Sequence, residues 1–119
     1  MAALRIKLVF SSSTISTDKL EFSVEKNVSV TGFMVNPSRN SFGFATPQTL
    51  TPETHSPAIV YVKNLDATNY IEVRETGGAV LARIPAGLFA LIPVAANSVP
   101  QIIANTGACV AEYAVWTLA

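Results

Sequence analysis

The chain has 119 residues, half of them hydrophobic and only 13% charged, with eight basic against eight acidic side chains for a net charge of zero. That length fits one domain whose modest core closes without metal or disulfide staples, while a charge content near half the usual share of roughly 25% leaves surface that few charges cover. The absence of any Lys/Arg run excludes the phosphate-neutralising footprint of a nucleic-acid binder, no run nears the roughly 18 apolar residues of a membrane span, and zero net charge removes the self-repulsion that holds monomers apart.

Period-two alternation begins at once. Leu4, Ile6, Leu8 and Phe10 share one face of a first strand, with Arg5 and Lys7 on the other. A signal peptide needs an unbroken apolar stretch, and this pattern lacks one. A Ser/Thr-rich turn is expected over 11–17. Leu20, Phe22 and Val24 then alternate with Lys19, Glu21, Ser23 and Glu25. Lys26-Asn27 reads as a tight hairpin connection. Val28, Val30 and residues 33–35 form the return strand, with Gly32 as a bulge. Over 36–56 the alternation stops among Pro37, Gly43, Pro47 and Pro52. This predicts an irregular excursion loop anchored by Phe42 and Phe44.

The second half is more regular. Residues 58–64, rich in β-branched and aromatic side chains, read as a strand, and 65–69 as a turn. Tyr70, Ile71 and Val73 continue as a strand with Glu72 and Arg74 facing out. Thr76-Gly77-Gly78 marks a hairpin, residues 79–84 return as a strand, and Pro85-Ala86-Gly87 is another turn. Residues 88–94 form a strand that Pro93 confines to an edge or an end. Residues 95–107 read as a loop with a brief Ile102-Ile103 contact, and 109–118 as a long last strand. Val110, Ala114, Trp116 and Leu118 share one of its faces, interrupted by Glu112, and Ala111, Tyr113 and Val115 share the other. Both faces are mostly apolar, which suits a central strand or one covered by a partner. Seven to eight short antiparallel strands predict an all-β protein: a single two-sheet β-sandwich over 1–119, of which the jelly roll is one form.

Chemistry is sparse. His55, the one histidine, reads as a solvated loop residue without a second ligand or orienting acid nearby in sequence. Cys109, the one cysteine, forms no internal disulfide and starts an apolar strand, where a free thiol is most often buried filler. One His and one Cys do not make a zinc site unaided, and the acids are scattered singly. Glu112, in its apolar strand, is expected either to point inward in a structural ion pair with a partner such as Arg74 or Arg83, or to be an exposed strand-face residue, rather than a general base. No catalytic, cofactor-binding or metal-ligating set emerges, so no cofactor and no enzyme activity are expected.

The segment SPAIVYVKNLDATNYIEVRETGGAVLARIPAGLFALIPVA, with ACVAEYAVWTLA after a small-residue stretch, resembles small virion structural proteins of tailed bacteriophages. Its carriers are a strand ending in KN-D-TNYIEV, a Gly hairpin, a Pro/Gly turn, FAL-PV and a late EY-V strand. Within that group it is most similar to capsid decoration, or cement, proteins. The resemblance covers the second half of the chain. It implies a β-sandwich or jelly roll made in the host cytoplasm and placed on the virion capsid surface. It also implies the major capsid protein and the chain itself, as homodimer or homotrimer, as partners, with no nucleic acid and no membrane. Two other readings stay open: a tail or baseplate structural protein, and a carbohydrate-binding β-sandwich module using Tyr61, Tyr70 or loop aromatics. The residues selected for partner contact are Phe42, Phe44, Tyr113 and Trp116.

Overall fold

The computed structural model describes residues 2–12 and 20–119, with the side chains of 3–9 and 23–119. Among them are nine strands and no helix: β1 Ala2–Ser12, β2 Leu20–Phe42, β3 Gln48–Thr49, β4 Ala58–Asn64, β5 Ile71–Glu75, β6 Val80–Ile84, β7 Phe89–Val94, β8 Pro100–Ala104 and β9 Cys109–Leu118. They form two sheets, in the orders β1-β2-β9-β4-β7 and β3-β8-β5-β6. From β2 onward the neighbours are nested: β2 beside β9, β3 beside β8, β4 beside β7, β5 beside β6. Successive nested pairs fall in alternate sheets. That wrapping is a jelly roll.

Two compact units are present, residues 1–31 with 119, and residues 32–118. In the first, β1 pairs antiparallel with the start of β2 from Ala2 opposite Val30 to Ser12 opposite Leu20. Leu4 faces Val28 and Leu8 faces Val24 across the ladder. On the other side Arg5 and Glu25 pair at 2.7 Å. The hairpin expected at Lys26-Asn27 is therefore corrected. Those residues sit in mid-strand, opposite Ile6 and Arg5. A turn there would strip β1 of the strand whose alternation matches its own along its whole length, and an unpaired strand leaves its backbone polar groups unsatisfied. The turn expected over 11–17 lies outside the described residues from 13 onward.

The second unit holds the sandwich. Val60 and Val62 of β4 and Val115 of β9 meet Ile71 and Val73 of β5 and Ile102 of β8 in one core. Each such side chain contributes about 1.5–3 kcal/mol of burial. The excursion loop expected over 36–56 is shorter than predicted. β2 runs on to Phe42, and two residues, Gln48–Thr49, pair with β8. Pro37 is tolerated because it falls beyond the part of β2 that β1 pairs, which ends at Val30. The loop expected over 95–107 contains β8, bonded to β3 on one side and β5 on the other. Its alternation was hidden because Ile102, Ile103 and Ala104 are all buried.

The turns follow their residue chemistry. Gly77 and Gly78 take φ of 105° and 102°, and the Gly78 amide donates to the Glu75 carbonyl. Gly87, at φ 78°, lets the Leu88 amide reach the Pro85 carbonyl at 3.1 Å. Both turns need a left-handed backbone that side chains resist.

Asn64, at the end of β4, is fully buried and binds both neighbouring loops. Its Nδ2 donates to the carbonyls of Asn69, at 2.8 Å, and Ile84, at 3.0 Å. Its Oδ1 accepts from the Asp66 amide at 2.9 Å. Its own amide donates to Leu88 and its carbonyl accepts from Gly87. Replacing it with a leucine of similar size, Asn64→Leu, strands one donor and two acceptors, each costing about 1–3 kcal/mol if water stays out. Urea titration of Asn64→Leu should show a stability loss of about 3 kcal/mol or more. A loss below about 1 kcal/mol would mean that the loops hold themselves.

Candidate interaction surface

The two sheets of the second unit differ on the sides turned away from the core. On the smaller sheet, Glu72 projects outward and is only 4% exposed. Arg74 donates to its Oε1 and Arg83 to its Oε2, so each carboxylate oxygen meets one guanidinium. The Arg83 guanidinium also lies 4.4 Å from the Tyr70 ring centre, a cation–π contact. Gln101 and Thr49 extend this wet face, joined by a hydrogen bond. The hydrogen bonds from Arg74 and Arg83 hold the Glu72 carboxyl below the usual carboxylate range, against the opposing effect of burial.

The outward side of the larger sheet is built otherwise. β4 and β9 pair with Ile59 opposite Trp116, Tyr61 opposite Ala114 and Lys63 opposite Glu112. These six side chains point away from the core, because Ala58, Val60 and Val62, which alternate with the β4 members, point into it. β7 adds Leu91 beside Tyr61 and Phe89 beside Lys63. From β2, Phe33 stacks on Trp116 with ring centres 5.5 Å apart and planes tilted 38°. Ile59 and Ala114 are only 6% and 1% exposed although they face outward. Phe33 and Phe89, at 50% and 55%, remain open. A solvated antiparallel sheet face is ordinarily polar. This one is aromatic and aliphatic over two thirds of its length.

Polar groups close one end. Glu112 accepts from Arg39 Nε at 3.2 Å and from Tyr61 Oη at 3.0 Å. The Tyr61 and Arg39 hydrogen bonds pull the Glu112 carboxyl down in pKa. Burial, then the bond to Glu112, pushes the Tyr61 phenol up. The partners expected for Glu112, Arg74 and Arg83, are corrected here. Glu112 points outward, and both arginines are held by Glu72 on the other sheet. Strand parity decides this: the inward positions of β9 are Ala111, Tyr113 and Val115.

The four residues selected for partner contact divide. Phe42 is fully buried and meets Tyr113 edge-on, with ring centres 5.5 Å apart. Both belong with the core, because Tyr113 lies opposite inward-facing Val62. Phe44, two residues beyond Phe42, is exposed, and Trp116 belongs to the apolar outward face. Sequence reading missed Phe33, Ile59, Tyr61, Leu91 and Phe89 as members of that face. The missing information was parity: alternation separates two faces but does not say which one meets the second sheet.

His55 is tied into its surroundings. Its ring nitrogens face the carbonyl oxygens of Ser56, at 2.6 Å, and Ser98, at 2.5 Å. Its amide donates to Asn97 Oδ1, and the Asn97 amide donates back to its carbonyl. These bonds pin the segment before β4 to the turn before β8. Cys109 is buried, and burial pushes its thiol pKa up, away from the reactive thiolate. Among the described residues no group of three or more His, Cys, Asp or Glu is arranged to hold a metal ion, and no helix is long and apolar enough to cross a membrane.

No protein-family model, no curated protein and no solved structure matches the chain.

Core and surface roles separate by experiment. Phe42→Ala should cost about 3–5 kcal/mol in denaturant unfolding, whereas Phe44→Ala should stay within about 0.5 kcal/mol. Equal losses at both positions would contradict the assignment. The pH dependence is as specific. Because the folded pKa of Glu72 is depressed, its contribution is fully present above the ordinary carboxylate pKa of about 4.3 and disappears as pH falls through the lower folded value. Glu72→Gln should therefore be less stable than wild type at neutral pH, and the two should converge on acidification. Parallel curves across that range would show that Glu72 titrates alike in the folded and unfolded chains.

Proposed function

We propose that the chain is a structural component of a tailed-phage particle, binding the major capsid protein and stabilising the shell as a decoration protein, and acting as a homo-oligomer. The observation that carries this reading is the apolar outward face of the larger sheet, with Phe33, Trp116, Leu91 and Phe89 on a chain that has few charges. Contiguous exposed apolar surface rimmed by polar groups is the mark of a protein-binding site. Aromatic residues with an arginine at the edge are the composition such sites favour. The jelly roll adds support by analogy, since viral capsid domains use it, although lectins and cupins do too. The likeness of the second half to virion structural proteins names the shell as the surface to test.

Three activities are compared directly. Purified protein should co-sediment with expanded capsids. Virions lacking it should lose resistance to heat and osmotic shock. Trp116→Ala should weaken capsid binding by about tenfold or more while leaving the melting of the free protein nearly unchanged. Absence of binding together with unaltered virion resistance would refute the reading. Immunogold labelling at the tail rather than the shell would move the protein to the tail or baseplate. The carbohydrate-binding alternative is the weaker one, because sugars stack best on open, coplanar rings, whereas Phe33 and Trp116 are tilted against each other and Tyr70 is covered by Arg83.

A further inference from the structure

The six outward residues of β4 and β9 are complementary to themselves. We infer that this face binds a second copy of the chain about a two-fold axis parallel to the strands and midway between β4 and β9, so that the Lys63–Glu112, Tyr61–Ala114 and Ile59–Trp116 pairs recur across the interface. The inference rests on reading the outward face as a protein-binding surface and names the occupant.

The geometry follows from the strand pairing. A rotation about such an axis lays β4 of one copy over β9 of the other without shifting either along its length. Residues that are Cα partners within one copy then face each other between copies. Lys63 meets the partner's Glu112 and Glu112 meets the partner's Lys63. Tyr61 reaches the partner's Tyr61–Ala114 row and Trp116 the partner's Ile59–Trp116 row, each twice. Ala114 and Ile59 are themselves only 1% and 6% exposed, so the Tyr61 and Trp116 rings beside them carry the contact. An isologous interface requires this reciprocity, in which residue i touches j and j touches i. The axis between β4 and β9 sets opposite charges together at the Lys63–Glu112 row and apolar side chains together at the other two.

Lys63 gives the charge argument its direction. It is half-buried, and among the described residues it has no carboxylate within ion-pair distance, although it is near enough to Glu112 to lower that carboxyl's pKa. Glu112 accepts one donor on each oxygen, from Arg39 and Tyr61, and keeps acceptor capacity for another. The second copy would bring Lys63 a carboxylate from across the interface, and the same step would cover Trp116. Arg39 and Phe89 lie at opposite edges of the same polar end. The rotation brings the exposed guanidinium of one copy over the phenyl ring of the other, a favourable cation–π approach.

Area sets the strength. Four strands about 4.8 Å apart and three outward rows about 6.8 Å apart give a plane of roughly 400 Å² per copy. Two copies give roughly 800 Å², below the roughly 1,200 Å² of stable interfaces and in the range of weak, transient ones. The dimer is accordingly expected to be of micromolar strength, concentration-dependent in dilute solution and reinforced wherever an assembly holds many copies close together.

The full chain tests this with its single tryptophan as reporter. Sedimentation equilibrium should show reversible dimerisation, and Trp116 emission should shift to the blue over the same concentration range. Lys63→Glu sets like charges together at two symmetry-related places and should weaken dimerisation about 100-fold. The double exchange Lys63→Glu with Glu112→Lys should return it to within about tenfold of wild type. Thermal melts of each variant establish that it is folded. A wild-type chain that stays monomeric at high micromolar concentration, with constant emission, overturns the inference. So does a dimer indifferent to Lys63→Glu, or a loss that the double exchange leaves unrepaired. The shell-binding reading is separated by assaying the same samples on capsids. Binding without dimerisation leaves that reading intact and removes this one, and dimerisation without binding does the reverse.

Discussion

One buried amide holds the sandwich in register. Asn64 ends β4 inside the core, where an unpaired polar group costs far more than it returns. Its three side-chain bonds reach the turn before β5, at Asp66 and Asn69, and the end of β6, at Ile84. Its backbone holds the turn between β6 and β7. Two connections and the end of β6 thus converge on one residue. Aspartate lacks the two donors, and leucine lacks every polar atom. The position opposite Asn64 on β9 is Ala111, also fully buried, so the amide is walled by a small side chain. The Asp66 carboxylate completes the knot by accepting from the amides of Thr68 and Asn69, bonds that also lower its pKa. A polar network that is wholly satisfied costs little and tolerates few alternatives, and this selects one register for β4.

That register decides the outward face. A one-residue slip of β4 would send Ile59, Tyr61 and Lys63 into the core and Val60 and Val62 into solvent. The chain has few charges, and it spends them unevenly. Glu72 collects two arginines on the smaller sheet, where burying a carboxylate requires both of them. Arg39, Glu112 and Lys63 gather at one end of the larger sheet. What is left over the remainder of that sheet is Phe33, Trp116, Ile59, Tyr61 and Leu91. The greasy face is thus the complement of the polar clusters elsewhere, and its cost in water is the driving force for covering it.

Much of this was legible in the amino-acid order. Period-two alternation located β4, β5, β6, β7 and β9, and the glycine turns between them fell where a left-handed backbone is required. The two-sheet architecture followed from the count of strands. Three features were not legible. β8 is buried on both faces at Ile102 and Ile103, so its alternation is erased. The middle of β2 at Lys26-Asn27 has turn-like composition, and only the long-range ladder to Ile6 and Arg5 overrides it. The separation of Phe42 from Phe44 is the third. Both are phenylalanines at a spacing of two beside glycine, but the strand ends at Phe42, so one ring enters the core and the other stays outside it. Local residue chemistry carries the turns, whereas which face of a strand meets the second sheet is a property of the whole fold.

The same logic bears on why a weak self-contact suits such a protein. A proposed contact of roughly 800 Å² would not hold two copies together at low concentration. It does not need to if each copy also touches a larger surface on which sites repeat by symmetry, because the second contact then forms at the high effective concentration set by the first. Weak individual contacts bring a further advantage. They dissociate and re-form, so a misplaced copy is released before the lattice around it closes, whereas a nanomolar pair would arrest in the wrong place. Zero net charge and a modest apolar face are properties that would suit reversible assembly, were the proposed self-contact to form. The polar row of Lys63 and Glu112 then serves chiefly to fix register, since opposite charges that coincide in one alignment repel or lie unpaired in the others.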